Sequence, residues 1–479
     1  MTSRSDPRDT QSSGLSPWDA VSIIIGIVIG VSIFSEAPPR VFCNVNGPIE
    51  AMAVWVWGGL LSLIGALCYA ELTTTYPHSG GDYAYLTRAY GPWVGFLFGW
   101  AQLAAILTGS IGAMAYVFAN YAATLCSLDE ATWAAWLAAG AVVLLSVVNL
   151  LGVVVGKTVQ NLLTLGKLAS MLVIVVAGLV WGGNASLQPT AAKSGPGWGL
   201  AMVFVLFAYG GWNDAAFVAA EVRGRKRNLP WVLMLGTGSI LVIYLLVNLG
   251  YLWGLGFEGV RASEVPAADV LRNALGDWGA KGMAVLVMIS ALGAVNGMIF
   301  TGSRVYASLG ADHRVFAFLG HWDPRFRAPI WSLLTSAGVA LAMIFTVGTQ
   351  QGRDLLDGSL TSFGLGRLPW KDFGGGFGTL VSGTAPVFWL FFLLTGLSLF
   401  TLRDKDRGLE RPFSVPFYPF TPFIFCLTSV YMLYSSLTYA RQLALLGIVP
   451  LLLGVPLYFI SRSVSTRSAG TEWGEREEP

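Results

Sequence analysis

The amino-acid sequence predicts an all-α integral membrane protein, on the evidence of its composition, its low charge and its apolar runs. Of the 479 residues, 54% are hydrophobic and only 12% are Asp, Glu, Lys or Arg, about half the charged share of an ordinary soluble domain. The mean hydropathy is +0.62, and the apolar runs are spread evenly along the chain. One membrane-embedded unit is therefore expected rather than several soluble domains.

Twelve segments are apolar over the roughly 20 residues that a membrane-spanning helix needs. The polar stretch before the first segment lacks the features of a signal peptide, so that segment is expected to be retained. Most of the Lys and Arg fall inside if the N-terminus is cytoplasmic, which predicts a multi-pass protein of the plasma membrane with both termini in the cytoplasm. The segments begin near Trp18, Glu50, Gly95, Thr132, Thr158, Gly197, Trp231, Gly279, Ala328, Gly378, Val415 and Tyr439.

Charge, cysteine content and histidine content exclude several classes of function. The 29 Lys and Arg nearly balance the 27 Asp and Glu, so no nucleic-acid partner is expected, because a phosphate backbone requires a concentrated basic face. The four cysteines include no CxxC pair, and with three histidines they predict no metal site, no cofactor and no disulfide framework. No catalytic constellation converges in the membrane, so an enzyme is not expected. A channel is disfavoured because neither a carbonyl filter nor a charge ring is present.

Two of the twelve segments are interrupted by glycines at about mid-depth. Segment one is interrupted within Gly26–Phe34, and segment six within Phe207–Asn213, where two glycines are adjacent. Glycines weaken a helix by roughly 1 kcal/mol each relative to alanine, and unpaired backbone in lipid is tolerated only where it lines a cavity. A single glycine is explained better by close helix packing. Two breaks five segments apart predict a cavity instead.

The positions of the breaks also predict the domain organisation. Repeats of five segments must lie in the membrane with opposite topology, so we expect inverted repeats over about 16–183 and 197–402, followed by two extra helices over about 415–461. Together they form one twelve-helix domain, 16–462, between cytoplasmic tails at 1–15 and 463–479. Broken helices at corresponding places in such halves indicate a central substrate site.

The chemistry of an interrupted helix indicates the kind of solute. Free amides and the helix dipole attract an anion such as a carboxylate, and free carbonyls accept hydrogen bonds from an ammonium group. A zwitterionic α-amino acid satisfies both sets, although a cation or a neutral solute uses some of the same groups.

Several motifs accompany the two breaks, namely Gly65–Leu72, Ser79–Leu86, Glu221 with Asn228-Leu229-Pro230, Val295-Asn296-Gly297 with Ser303-Arg304, and Arg411-Pro412-Phe413 with Val415-Pro416. At these motifs and breaks the sequence resembles the amino acid–polyamine–organocation (APC) superfamily, and within it the L-type amino acid transporters and their prokaryotic relatives. The resemblance implies the leucine-transporter-type fold, with helices one and six unwound in mid-membrane and alternating access between them.

The resemblance implies a set of substrate-binding residues at the two breaks. In segment one the chain departs from the family's Gly-Ser-Gly-Ile-Phe, since it has Val and Ser after the glycine, so we expect the backbone role to be kept. In segment six Phe207 corresponds to an aromatic gate over the substrate, with simple packing as the alternative. The backbone groups implied are those of Ile29, Gly30, Val31, Ser32 and Ile33 for the carboxylate and of Ala208, Tyr209 and Gly210 for the amino group.

Lys167 is the most informative single residue, because it lies in an apolar run where a buried ammonium costs at least a few kcal/mol. It is expected to lie too deep to snorkel to the interface. It matches the lysine that occupies the place of a sodium ion in sodium-independent members of the family. The resemblance implies a coupling role, with proton coupling as one form of it.

Further polar residues are assigned more loosely. Asp214 lies just past the second break, where capping of the following helix ranks ahead of a proton relay or selection of a cationic side chain. Asn296 is a candidate for a gate or for selectivity. Glu71 and Glu221 are expected to pair with nearby arginines. Cys126, a lone cysteine in a predicted outer loop, does not predict an accessory subunit.

These observations predict a sodium-independent amino acid transporter in the lipid bilayer, working as an exchanger or by proton-coupled uptake. An amino acid sensor of the same fold and a transporter of polyamines or other amines are the alternatives. The choice among amino acids depends on pocket volume and is not predicted.

Overall fold

The computed structural model describes residues 15–78, 80–182, 197–326, 328–370 and 375–465. The predicted tails fall almost wholly outside these ranges, as does the connection at 183–196 between the predicted repeats. Within the described ranges the chain is helical apart from connecting turns, and β pairing is limited to two isolated bridges, Leu15 with Val222 and Asp323 with Ala328. The predicted all-α class is therefore confirmed.

Eight α-helices lie in the described part of the first predicted repeat. A short 3-10 turn, Val31–Ile33, separates the first two, and a π-helical turn, Gln102–Ile106, joins the fifth to the sixth. The helices are α1 (Pro17–Val28), α2 (Ala37–Cys43), α3 (Pro48–Thr75), α4 (Asp82–Tyr90), α5 (Pro92–Ala101), α6 (Leu107–Leu125), α7 (Glu130–Leu150) and α8 (Val153–Trp181).

The second predicted repeat and the C-terminal part contain the remaining helices of the described residues. Three 3-10 segments accompany them, Trp212–Glu221, Arg314–Gly320 and Arg441–Ala444. The helices are α9 (Trp198–Ala208), α10 (Arg225–Ala262), α11 (Pro266–Leu275), α12 (Asp277–Asp312), α13 (Ile330–Gly348), α14 (Gln350–Ser362), α15 (Gly375–Lys405), α16 (Phe420–Ala440) and α17 (Leu445–Ser465).

Ten helical stretches in the described residues are long and apolar enough to cross a membrane, and α1 is a shorter apolar helix. Three of the ten run through more than one element, namely Pro92–Leu125, Trp198–Glu221 and Phe420–Arg462. A multi-pass membrane protein is confirmed by these stretches. The structure adds α4, α11 and α14, which the sequence analysis did not predict because short helices with several charged residues lack a long apolar run.

The helix α1 packs against α8, α10 and α12, and glycines allow two of these approaches. A Cβ at Gly26 of α1 would lie 2.0 Å from Gln160 Nε2 of α8, and a Cβ at Gly297 of α12 would lie 2.6 Å from Ile27 Cγ1 of α1. Backbone at the end of α1 is therefore within reach of side chains from the helices around it.

Candidate functional site

The first break begins where the α-helical bonding of α1 ends at Val28. Ile29 has a ψ of 84° and Gly30 is extended, with φ −98° and ψ −162°, before the 3-10 turn. Val31, Ser32 and Ile33 form the whole of that turn, so their amides have no acceptor within it. The five residues predicted to bind a carboxylate therefore form one continuous stretch of buried non-α backbone.

Lys167 of α8 takes the place of the backbone partner that Gly26 loses at this break. In a continuous helix the Gly26 oxygen would accept from the Gly30 amide, but that amide bonds the Val28 oxygen at 2.7 Å. The Lys167 ammonium donates to the Gly26 oxygen over 2.6 Å instead. Lys167 is fully buried at the midpoint of the 29-residue α8, too far from either end to snorkel. Among the described residues no carboxylate forms an ion pair with it.

The second break follows α9, which ends at Ala208. The last α-helical bond joins the Tyr209 amide to the Val205 oxygen at 3.0 Å, and the Gly210 amide then closes a tight turn on the Phe207 oxygen at 3.1 Å. Gly211 then adopts a φ of +105°, which favours glycine because a Cβ is disfavoured there. The chain continues as the 3-10 segment Trp212–Glu221 rather than as an α-helix.

One hydroxyl connects the two breaks. Tyr244 Oη of α10 lies 3.1 Å from the Val28 oxygen at the end of α1 and 3.0 Å from the Ala208 oxygen at the end of α9. Ser290 of α12 donates to the adjacent Ile29 oxygen over 3.0 Å. Both interrupted segments therefore meet at Tyr244, and carbonyls that a helix would have paired internally are held by side chains.

Aromatic rings close around this meeting point. The ring centroids of Tyr244 lie 5.5 Å from Trp55 and 5.1 Å from Tyr209, and Tyr209 Oη donates to the Trp55 oxygen over 3.2 Å. Phe207, the predicted gate, is half-buried, and its role stays a prediction. Aromatic rings in such a position can contact the apolar part of a solute, while the backbone of the breaks supplies the polar contacts.

Asp214 and Asn296 are both buried but lie in different surroundings. Asp214 is in the first turn after the second break, where its Oδ1 accepts from Asn213 Nδ2 at 3.2 Å, while Gly211 occupies the N-cap position. Asn296 Oδ1 accepts from Asn149 at 2.8 Å and its Nδ2 donates to Gln160 at 2.9 Å, so it joins α12 to α7 and α8. The predicted roles of both residues stay predictions.

Glutamates and arginines pair at the end of the bundle that carries most of the basic residues, as expected. Glu71 Oε1 lies 2.7 Å from Arg403 Nε and 3.2 Å from Arg411 Nε. Glu221 accepts a bidentate contact from Arg304, at 2.8 and 3.2 Å. Such forked pairs have a fixed geometry, and they connect helices that lie far apart in the sequence.

The turn that leads into α4 ends at a buried carboxyl, that of Asp82, which is the first residue of the helix and for which the sequence predicted no role. Asp82 Oδ1 accepts from Tyr69 at 2.5 Å and from Thr395 at 2.6 Å, while Oδ2 has no partner among the described residues. Burial raises the pKa of Asp82 to about 6, against the two hydroxyl contacts that lower it. In the same turn the Gly80 amide bonds the Phe217 oxygen of the segment after the second break, at 3.0 Å.

Other contributors were also missed, chiefly Tyr244, Ser290 and Trp55. Tyr244 and Ser290 carry hydroxyls in apolar segments, where a polar atom needs a partner, whereas Trp55 contributes its ring and its backbone oxygen. That requirement is a usable signal, but it does not name the partner. In the described part of the chain no three His, Cys, Asp or Glu gather to hold a metal ion.

Comparisons with known proteins find relatives over nearly the whole chain. The model of an amino acid permease family matches residues 15–455. The serine/threonine exchanger SteT of Bacillus subtilis is 29% identical over 450 residues, which cover 92% of this chain and 94% of that protein. The human b(0,+)-type amino acid transporter 1 is 30% identical over 431 residues, 87% and 81% of the two chains. The mouse Asc-type amino acid transporter 1 is 29% identical over 456 residues, 92% and 79%.

The relatives are named as transporters and exchangers, in agreement with the prediction that the chain is not an enzyme. The family match confirms the resemblance to APC superfamily permeases that the motifs predicted. The chain therefore belongs to the amino acid permease family.

Proposed function

We propose that this protein moves amino acids across the plasma membrane by alternating access, without sodium, as an exchanger or by proton-coupled uptake. The observation that carries the proposal is the meeting of the two breaks at Tyr244, whose hydroxyl lies 3.1 and 3.0 Å from their carbonyls. A site between two interrupted segments changes its access when one set of helices moves against the other.

Twelve membrane crossings are proposed, and the lengths of the helical stretches support this number. As one helix, the 43 residues of Phe420–Arg462 would measure about 65 Å, about twice the hydrocarbon thickness of a bilayer. Its interruption at Arg441, with a φ of +47°, supports two crossings. A further crossing consists of α1, the turn at Val31–Ile33 and α2. With the nine remaining stretches, this gives two repeats of five crossings and two extra helices.

The proposed substrate is an amino acid held at both ends. The free amides of Val31, Ser32 and Ile33 bind the carboxylate, and carbonyls around Ala208, Tyr209 and Gly210 accept from the ammonium group. The names of the relatives support this class, since they describe exchange of serine and threonine and transport of other amino acids. No accessory subunit is proposed.

Lys167 supports sodium-independent coupling. Its ammonium donates a hydrogen bond to the Gly26 oxygen at the first break. A positive charge therefore lies next to the backbone that is proposed to bind the substrate. A second cation there would meet this charge at short range in a medium of low dielectric. Gain or loss of the lysine proton during the cycle is the proposed route for proton coupling.

The proposed orientation places both termini in the cytoplasm. Basic residues are concentrated at the end of the bundle where α1 and α10 begin and where α12 and α15 end, and such residues favour the cytoplasmic side. The ion pairs of Glu71 and Glu221 then form a cytoplasmic gate.

The test is uptake of labelled amino acids into proteoliposomes, with and without sodium, with a proton gradient, and with unlabelled amino acid inside. Stimulation by internal amino acid establishes exchange, and gradient-driven uptake into empty vesicles establishes proton coupling. A requirement for sodium contradicts the proposed role of Lys167. Binding without uptake by folded protein favours a sensor, and uptake of amines alone favours a polyamine transporter.

A further inference from the structure

A groove of about 480 Å³ opens where α1 and α10 begin, at the end of the bundle proposed to face the cytoplasm. Val21 and Val232, both buried, form part of its apolar wall. Trp18 and Trp231 lie on its rim, each with 72% of its surface exposed. Arg227 also lines the groove and is exposed. The groove therefore combines an apolar wall with a cation at its mouth.

No ion pair among the described residues balances the positive charge at this groove. Arg225, Lys226 and Arg227 are the first three residues of α10, where the helix dipole disfavours cations. All three side chains are exposed, and no carboxylate of the described residues forms an ion pair with them. The nearby Asp19 is engaged with Lys157 of α8, at 3.1 Å.

We propose that this groove binds an anionic phospholipid of the cytoplasmic leaflet. The phosphate lies at Arg227, and an acyl chain follows the wall formed by Val21 and Val232 between the two indoles. Tryptophan is favoured at the level of lipid headgroups, and basic clusters beside membrane helices attract anionic lipids. A free phosphate would use the arginine but leave the apolar wall exposed to water, so an amphiphile fits the groove better.

A lipid in this position contacts the beginnings of both α1 and α10. The helix α1 leads into the first break, and α10 carries Tyr244, whose hydroxyl lies 3.1 Å from the Val28 oxygen at that break. Occupancy of the groove therefore stabilises the arrangement of α1 relative to α10. Lipid binding at this groove is measured in the absence of the transported substrate.

The test is titration of purified full-length protein in neutral detergent with phosphatidylglycerol, phosphatidylcholine or soluble glycerol phosphate, with bound lipid counted by native mass spectrometry. We expect phosphatidylglycerol to bind most tightly and Arg227→Gln to weaken it about fivefold, the effect of one basic residue near a lipid surface. Arg225→Gln is the matched control, since it removes the same charge from the same helix turn but does not line the groove.

Four outcomes would overturn the proposal. If Arg225→Gln and Arg227→Gln weaken phosphatidylglycerol binding equally, the lipid is attracted to a basic surface and not to the groove. If phosphatidylcholine binds as tightly as phosphatidylglycerol, the groove has no preference for an anionic lipid. Binding of glycerol phosphate as tight as that of the lipid means a free-anion site. Trp231→Ala keeps the charge and is expected to weaken phosphatidylglycerol several-fold, so the proposal stays testable if Arg227→Gln does not fold. Undiminished binding to Trp231→Ala also contradicts it.

Discussion

The two breaks reach similar geometry by different means. At the first, side chains from three other helices hold the carbonyls, namely Lys167, Tyr244 and Ser290. At the second, the chain holds itself with short backbone turns and the left-handed Gly211, and Tyr244 is the side chain shared with the first break. The first break therefore depends on tertiary packing, and the second depends on local backbone conformation.

This difference indicates where each break is sensitive to mutation. Replacing a side chain on α8, α10 or α12 is expected to disturb the first break while its own sequence stays intact. The second is expected to respond chiefly to changes within its own glycines.

Lys167→Ala is expected to abolish most transport, by at least about tenfold, because the Gly26 oxygen loses its donor and an unsatisfied buried group costs about 1–3 kcal/mol. The fold is expected to survive, since removal of a buried charge also removes its desolvation penalty. Uptake into proteoliposomes measures the first effect and thermal unfolding in detergent the second. Lys157→Ala, which removes a partly exposed lysine from the same helix, is the matched control. Full transport by Lys167→Ala would mean that the residue is only structural.

Gly211→Ala tests the second break through its backbone. The residue has a φ of +105°, and a Cβ would lie 2.8 Å from Ile27 Cγ2 of α1. A left-handed conformation costs a non-glycine residue roughly 1–2 kcal/mol, so we expect a lower unfolding temperature and a several-fold loss of uptake. Gly140→Ala in α7 is the control, since its Cβ meets nothing within 4 Å and alanine favours a helix. Equal behaviour of the two variants would show that the second break does not need its glycine.

Sequence alone predicts the breaks better than the groups that hold them. Glycines in apolar runs locate both interruptions, and Lys167 is conspicuous because a charge in lipid is costly. Tyr244 and Ser290 are not conspicuous, because their roles depend on which faces of α10 and α12 meet α1. That is decided by helix packing across more than 200 positions of sequence separation, as in the Tyr244–Val28 contact with a separation of 216. The periodicity of apolar residues along one helix does not indicate which face of another helix it meets.

Tyr244→Phe tests the one element common to both breaks. It removes a hydroxyl lying on two buried carbonyls while keeping the ring contacts with Trp55 and Tyr209. One hydroxyl proton serves one carbonyl at a time, and the Val28 oxygen keeps the Gly30 amide as a donor, so the Ala208 oxygen is the one that loses its donor. The loss of about 1–3 kcal/mol for that unsatisfied carbonyl is expected to lower the uptake rate several-fold with little change in expression. Tyr431→Phe removes a comparable hydroxyl from the Gly199 oxygen at an exposed position and is expected to be neutral. Equal uptake by both variants would show that transport does not depend on a connection of the two breaks through the Tyr244 hydroxyl.

The smallest expected effect is a pH dependence of the protein's stability that arises from Asp82, near the segment after the second break. The turn that carries Asp82 supports the segment after that break through the contact between the Gly80 amide and the Phe217 oxygen. Burial raises the pKa of Asp82 from 3.8 to about 6, so the folded protein favours the protonated carboxyl. Its contribution to stability is fully present below pH 3.8 and is lost as the pH rises through about 6.

Thermal unfolding measured from pH 5 to 8 is therefore expected to show stability that falls as the pH rises through about 6 and is level above it, and Asp82→Asn is expected to flatten that fall. Asp406 provides a control of opposite sign, because its contact with Arg88 lowers the pKa of the carboxyl. Its stabilisation is present above pH 3.8 and is lost only below it, so Asp406→Asn is expected to shift the whole curve without changing its slope between pH 5 and 8. An unchanged slope in Asp82→Asn would show that the turn before α4 does not transmit its protonation to the fold, and the second break would then depend on its own backbone alone.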